Sequence, residues 1–235
     1  MPRTPVAVAV LAMCGLLAAT PRAAGEMGPC QADKFGGLTC GSGVGAARVI
    51  EGTLSPSKRL ALAWRSAKGP PTEDPGDDSE ILVVRVADGA VLAASKGMYW
   101  NTGEARANRL EELATWSPNS RLLIRSFNSR FSTDNVDLYA FGRNDEVTGP
   151  FDLLKGMDSA VRTALRRRVK DEQKYALSIS NDPAMTVSNG GIVRAAIMMW
   201  VPKDGPERNY TVTARVIRGA KSLDARVVAV VPLRQ

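Results

Sequence analysis

The chain of 235 residues contains no histidine. That absence excludes a Ser-His-Asp or Cys-His catalytic pair, a histidine-ligated zinc, an HExxH metalloprotease and any imidazole acid–base or pH switch. Cysteine is scarce as well, at 3 residues, and no two of them form a CxxC pair. After the N-terminal segment no apolar run approaches the roughly 20 residues needed to cross a bilayer core. A charged fraction of 23% fits neither a disordered polyelectrolyte nor a membrane protein. Catalysis by Asp, Glu, Lys, Tyr or Cys stays open. The length suits one well-cored domain or two small ones.

What is present begins with a short positive stretch at Arg3 and an apolar run from Val6 to Ala19, broken by Pro21 and followed by Ala23, Ala24 and Gly25. This layout is that of a secretory signal peptide over residues 1–25, cleaved after Gly25 or Ala23. A buried N-terminal helix is the alternative. A lipoprotein reading of Leu11-Ala12-Met13-Cys14 is weakened by Met13, since a small residue normally precedes a lipidated cysteine. Cleavage removes Cys14 and leaves Cys30 and Cys40, an even pair in an oxidising compartment. Gly36-Gly37 lets the chain between them fold back, and a ring of this size stabilises by about 2.8 kcal/mol if unstrained. A redox or metal pair fits poorly without CxxC spacing or a third ligand. Residues 26–48 therefore read as a disulfide-stapled, glycine-rich lead-in, exported to the periplasm or secreted.

Beyond it a pattern recurs. Val49 to Leu54 leads into Ser55-Pro56-Ser57-Lys58-Arg59 and then Leu60-Ala61-Leu62-Ala63-Trp64; Leu113 to Trp116 leads into Ser117-Pro118-Asn119-Ser120-Arg121 and then Leu122 to Phe127. Proline at the second turn position fixes φ, and an apolar run resumes after it. Each copy offers a further strand, Glu80–Val86 closed by Asp88-Gly89 and Asn135–Phe141 closed by Gly142. A looser third copy runs from Met185 through Ser188-Asn189-Gly190-Gly191, Ile192–Val201 and Tyr210–Val216, where apolar and polar residues alternate as in a half-buried antiparallel strand. Ala225–Leu233 reads as one more strand.

These copies resemble the WD40-like (PD40) β-propeller repeats of exported bacterial proteins such as the TolB group. In that family a strand enters a Ser-Pro-[Asp/Asn]-Gly-[Lys/Arg] turn before an apolar strand, often followed by a strand ending in Asp-Gly. Both turns depart from it at the usual glycine, read here as Ser57 or Ser120. The resemblance covers roughly residues 50–141, and 185–218 more loosely. It implies a mainly β fold of antiparallel blade-like sheets. A closed propeller needs at least four blades, so two or three copies imply a partial or open propeller, or a ring completed by more than one chain.

One amphipathic helix is expected near 158–177, capped by Asp158. Val161, Leu165 and Val169 share a face. Arg162, Arg166, Lys170 and Lys174 run along the opposite one as a cationic row, suited to an anion or partner surface or simply solvated. Arg168 and Glu172 interrupt the apolar stripe and are spaced to pair with each other. An acidic loop, Glu73, Asp74, Asp77, Asp78 and Glu80, sits among prolines; calcium is one reading, a solvated connection the better one. The expected layout is 49–155 for two repeats, 156–178 for the helix and 179–235 for the C-terminal β segment.

Catalytic motifs mostly fail. Ser55-Pro56-Ser57-Lys58 satisfies SxxK, but Pro56 and the flanking strands make it a β-turn, and no KTG exists. Gly41-Ser42-Gly43-Val44-Gly45 is neither a nucleophile elbow nor a dinucleotide loop. Asp134 and Asp137 are a carboxylate pair with the residue types of a glycosidase dyad, indistinguishable here from turn acids. No cofactor, metal ligand or catalytic residue is implied, and nucleic acid does not suit an exported protein. The favoured reading is an exported, non-catalytic binding or scaffolding module contacting an envelope protein or anionic surface polymer, with homo-oligomerisation open. The runners-up are a carboxylate-based envelope hydrolase and a subunit completing a multi-chain propeller.

Overall fold

The structure is a computed structural model that describes residues 27–66, 69–72, 79–96, 111–129, 132–180, 184–203, 205–219 and 221–233. The signal segment and Glu73, Asp74, Asp77 and Asp78 lie outside the described residues.

The protein is mainly β, and its described residues form three antiparallel sheets and one α-helix. Sheet 1 runs in the order β1 (Cys30–Ala32), β2 (Leu38–Cys40), β3 (Ala47–Val49), β4 (Leu60–Ser66), β5 (Ser79–Arg85), β6 (Val91–Lys96). Sheet 2 holds β7 (Glu111–Trp116), β8 (Leu122–Asn128), β9 (Thr133–Phe141) and β10 (Val147–Asp152). In sheet 3, β11 (Ala176–Ile179) and the short β12 (Thr186–Val187) both pair with β13 (Ile192–Trp200), which is followed by β14 (Glu207–Arg218) and β15 (Leu223–Pro232). Within each sheet, four sequential strands form an up-and-down meander. No helix among the described residues is long and apolar enough to cross a membrane.

The sheets bury their apolar faces against one another. Leu60, Leu62, Trp64, Ile81 and Val83 of sheet 1 meet Leu123, Tyr139 and Phe141 of sheet 2. The other face of sheet 2, through Leu122, Ile124, Val136 and Leu138, shares a core with Val193, Ile197, Met199, Tyr210 and Val212 of sheet 3. This two-sided burial explains why Ile81-Leu82-Val83-Val84 and Leu122-Leu123-Ile124 are continuous apolar runs rather than alternating ones.

The helix, α1, spans Leu153–Arg166 and buries Leu153, Met157, Val161 and Leu165, one residue every fourth position, in the core between sheets 2 and 3. It begins and ends earlier than the 158–177 expected from sequence. Its cap is Asp152, whose carboxylate accepts the Lys155 amide at 3.0 Å, and Asp158 lies inside the helix. The apolar period simply starts at Leu153, hidden behind the end of β10. At the far end Leu177 and Ile179 are drawn into the core as alternating residues of β11, so Tyr175–Leu177 cannot continue a helix.

The lead-in closes sheet 1. Cys30 and Cys40 face each other across β1 and β2 and form the disulfide. The sheet curls so that the Cys30 amide donates to the Val86 carbonyl at 3.0 Å, and Met27, Cys30, Leu38 and Cys40 cover Ala61, Ala63, Leu82 and Val84 on the face turned away from sheet 2. Asp33 organises the hairpin. Its carboxylate accepts from the Phe35 and Gly37 amides, the Thr39 hydroxyl and Arg48 Nε, each at 2.9 Å. Burial works against the charge, yet the Gly37 amide, Thr39, Arg48 and the Phe35 amide outweigh it, lowering the pKa from 3.8 to about 2. A depressed carboxyl stabilises the fold fully above its ordinary pKa and loses that contribution as pH falls through the folded value. Urea midpoints should therefore fall between about pH 4 and pH 2, and Asp33→Asn should flatten that part of the profile while lowering stability at neutral pH; an unchanged acid limb would refute the assignment.

Candidate functional site

Three turns with one hydrogen-bonding scheme line up at one edge of the stack. In each, a serine carbonyl accepts the amide three residues on: Lys58 to Ser55 at 2.8 Å, Ser120 to Ser117 at 2.8 Å, and Gly191 to Ser188 at 3.0 Å. The same serine's hydroxyl accepts the first amide of the next strand, from Leu60 at 3.1 Å, Leu122 at 2.9 Å and Ile192 at 3.0 Å. The residue three on is left-handed every time, with φ of 57° at Lys58, 59° at Ser120 and 75° at Gly191. In the first turn the left-handed position is thus Lys58 and not Ser57, because the turn is counted from Ser55. The third turn is one residue shorter and uses the glycine that conformation favours. Side bonds tie the turns together: the Ser57 amide donates to Ser120 Oγ at 3.0 Å, and the Asn119 amide to Asn189 Oδ1 at 2.8 Å.

This edge collects cations. Arg59 and Arg121 follow the left-handed residues of the first two turns, Arg143 comes from the β9–β10 connection, and Arg218 from the end of β14. Ser57, Arg59, Asn119, Arg121, Arg143 and Asp145 line a cleft of about 100 Å³. Asp145, itself left-handed at φ 63°, is held by Arg59 Nη2 at 2.7 Å to both oxygens, with Arg85 at 3.6 Å. Arg85 in turn engages Asp88 at 2.7 Å. Both acids are thus occupied, and Arg121 and Arg143 have no carboxylate partner among the described residues. Arg218 donates to the Arg121 carbonyl; partial burial, and then the charge of Arg121, pull its pKa below the ordinary guanidinium value. Folding has assembled like charges that repel one another. It has also placed three of the four non-glycine left-handed residues among the described residues, Lys58, Ser120 and Asp145, at the same edge. Conformations of this kind gather where ligands bind. Arg59 and Arg121 recur at one position of the repeat and were visible in the sequence; Arg143 reaches the cleft, and Arg218 the Arg121 backbone, only through the strand order.

The cationic row expected along the helix is not a row. Arg162 holds Asp158 at 2.8 Å and the Glu172 carbonyl at 2.9 Å, bracing the segment after the helix. Arg166 pairs with Glu172, taking the place expected for Arg168, and Lys174 pairs with Asp171 at 2.7 Å. Lys170 lies beyond the helix end. Glu80, the one described member of the acidic loop, pairs with Arg65 at 2.7 Å. Asp134 and Asp137 do not converge: three apart on β9, they lie on opposite faces, Asp134 exposed and Asp137 buried.

The sequence reading missed a buried ionic cluster between sheets 1 and 2. Arg125 Nε donates to Glu112 Oε2 at 2.9 Å, its Nη1 to Ser95 Oγ at 2.7 Å and to Asp137 Oδ2 at 3.3 Å. Burial pushes the Glu112 and Asp137 carboxyls up against the pull of Arg125. For Arg125, burial opposes the charge, and the Glu112 bond together with the charges of Glu112, Tyr139 and Asp137 outweighs it. A lone arginine inside Leu123-Ile124-Arg125-Ser126-Phe127 was the available signal, since a charge in a fully buried strand needs a partner. With its guanidinium fully engaged, this cluster holds sheets together.

Fold and edge together define a mainly β protein whose described residues form three antiparallel sheets and one α-helix, with an electropositive turn edge. No protein-family model matches the chain, and no curated protein matches it.

Proposed function

We propose that the protein is an exported, non-catalytic binding module of the bacterial cell envelope, and that its turn edge binds an anionic surface polymer. The observation that carries this reading is the convergence of Arg59, Arg121 and Arg143 on one cleft, with Arg218 bonded to the Arg121 carbonyl and Asp145 as the only acid among the described residues that line it. Packed sheets lie about 10 Å apart, so the first two turns set Arg59 and Arg121 on neighbouring sheets, which suits successive charges of a polyanion. Export is supported by the signal-peptide layout of residues 1–25 and by the Cys30–Cys40 disulfide, and the WD40-like reading of the repeats by the shared turn hydrogen bonds.

The test uses dextran sulfate and poly-L-glutamate as probes for a sulfated polymer and an acidic polypeptide. Retention on immobilised dextran sulfate should fall about tenfold or more for Arg121→Ser/Arg143→Ser, each arginine contributing about 1 kcal/mol at an exposed site, with thermal stability unchanged. Equal retention by both forms overturns the assignment. Preference for poly-L-glutamate moves the partner class to an acidic protein.

A further inference from the structure

We propose that two copies of the chain associate face to face through the outer side of sheet 3, about a two-fold axis passing near Thr211. Among the described residues, the other sheet faces of the stack are covered. Sheet 2 is buried on both faces, and the far face of sheet 1 is covered by the chain's own disulfide hairpin. A head-to-tail ring needs a free far face on sheet 1 to receive the next copy's sheet 3, and that face is taken. Only a contact that pairs sheet 3 with itself can cover it by self-association, and such isologous contacts close at two subunits.

The outer face of sheet 3 suits that pairing row by row. Val193, Ala195, Ile197 and Met199 point into the core, so Ile192, Arg194, Ala196, Met198 and Trp200 point out. The register sets Ala196, Thr211 and Val231 side by side in a central row. Arg194, Thr213 and Ala229 form the row on one side; Met198 and Asn209, with Leu233 bonded to Asn209, form the row on the other. One step further out lie Ile192 and Arg215 at one end, Trp200 and Glu207 at the other. A two-fold axis through the central row lays each end of one copy on the opposite end of the other. Ile192 then meets Trp200, Arg215 meets Glu207, the Arg194 stem lies on Met198, Ala229 meets Leu233, and Val231 meets Val231. A two-fold axis along the strands between β14 and β15 instead sets Arg215 on the other copy's Arg226, its register neighbour, like charge on like. Along β15 the apolar members are open to solvent, Val231 and the β-bulge residue Val228 each 55% exposed and Leu233 46%, while Ile192, Ala196, Met198 and Trp200 of β13 are half-buried.

Size sets the strength. Four strands about 4.8 Å apart and about nine residues long at 3.3 Å each give a footprint of roughly 570 Å² per copy. The pair then covers about 1,100 Å², the lower end of specific interfaces, so the dimer should be weak and reversible, with micromolar dissociation.

Sedimentation velocity over a concentration series, with no polymer present, tests this. The full chain should show a reversible monomer–dimer equilibrium, and Ala196→Asp/Val231→Asp should weaken it about tenfold or more. Thr211→Cys, at the axis, should give a disulfide-linked dimer on mild oxidation, whereas Asn144→Cys on the turn edge should not. The Cys arm keeps the test sharp even if the Asp variant folds poorly. Arg121→Ser/Arg143→Ser should dimerise normally, which separates this contact from polymer binding. A monomer at every concentration, a dimer indifferent to the Asp pair, or cross-linking through Asn144→Cys in place of Thr211→Cys overturns the proposal.

Discussion

Arg125→Ala is expected to destabilise the protein by about 3–5 kcal/mol, enough to unfold much of it at physiological temperature given typical domain stabilities of about 5–15 kcal/mol. The guanidinium is only 3% exposed and the Glu112 carboxylate 0%. Removing Arg125 leaves Glu112 buried without its counter-charge, and burial already drives that carboxyl toward the neutral acid. Ser95 and Asp137 lose a donor at the same time. The loss comes mainly from the charge left behind, so removing both partners should relieve it. Arg125→Met/Glu112→Leu should recover the part of the loss that comes from Glu112, because apolar residues replace that pair, while Asp137, left without Arg125, keeps its share. Chemical denaturation of the two variants decides: if the double variant is as unstable as the single one, the cluster contributes through specific hydrogen bonds and not through charge balance.

The second large effect is expected at Gly89, which follows Asp88 in the turn between β5 and β6. Its φ is 71°, and a Cβ there would lie 2.2 Å from the Gly28 carbonyl oxygen and 2.7 Å from that of Met27. The lead-in passes directly over this residue, and the contacts are backbone on both sides, with no side chain free to yield. Gly89→Ala should lose about 2–4 kcal/mol, combining the left-handed penalty with overpacking. Gly36→Ala is the control: φ is similar at 81° but nothing lies within 4 Å, so only the conformational part, about 1–2 kcal/mol, should appear. Because the clash lifts the lead-in off sheet 1, Gly89→Ala should also speed reduction of the Cys30–Cys40 disulfide, while Gly36→Ala should not. Equal melting temperatures for the two variants would contradict the packing described for residues 27–30.

Much of this architecture was legible in the sequence because turn chemistry is local. Ser-Pro with a small residue, or Ser-Asn-Gly-Gly, specifies a turn through side chains and φ preferences within five residues, so all three turns and the strands leaving them could be placed. The disulfide followed from counting. The helix was found but misplaced, since the residues from Asp158 onward read as good helix formers while Tyr175–Leu177, helical by composition, are claimed by pairing with β13. The cationic row failed for the same reason: spacing of four has meaning only while the chain stays helical. The electropositive edge and the Arg125 cluster are products of strand order. Arg59 and Asp145 are 86 residues apart and Arg218 and Arg121 97, distances over which no local pattern speaks.

The central claim, that the turn edge is an anion-binding surface, is tested most directly by the salt dependence of binding to dextran sulfate. Each arginine that neutralises a charge on a polyanion releases about one condensed counterion, so the logarithm of affinity falls linearly with the logarithm of salt concentration. The wild-type chain should show a steep slope, and Arg121→Ser/Arg143→Ser should lower its magnitude by about two, roughly one for each arginine removed, while Arg162→Ser/Lys174→Ser on the helix side leaves it unchanged. An identical slope for the wild type and the edge variant, or a loss seen only with the helix variant, would contradict the account.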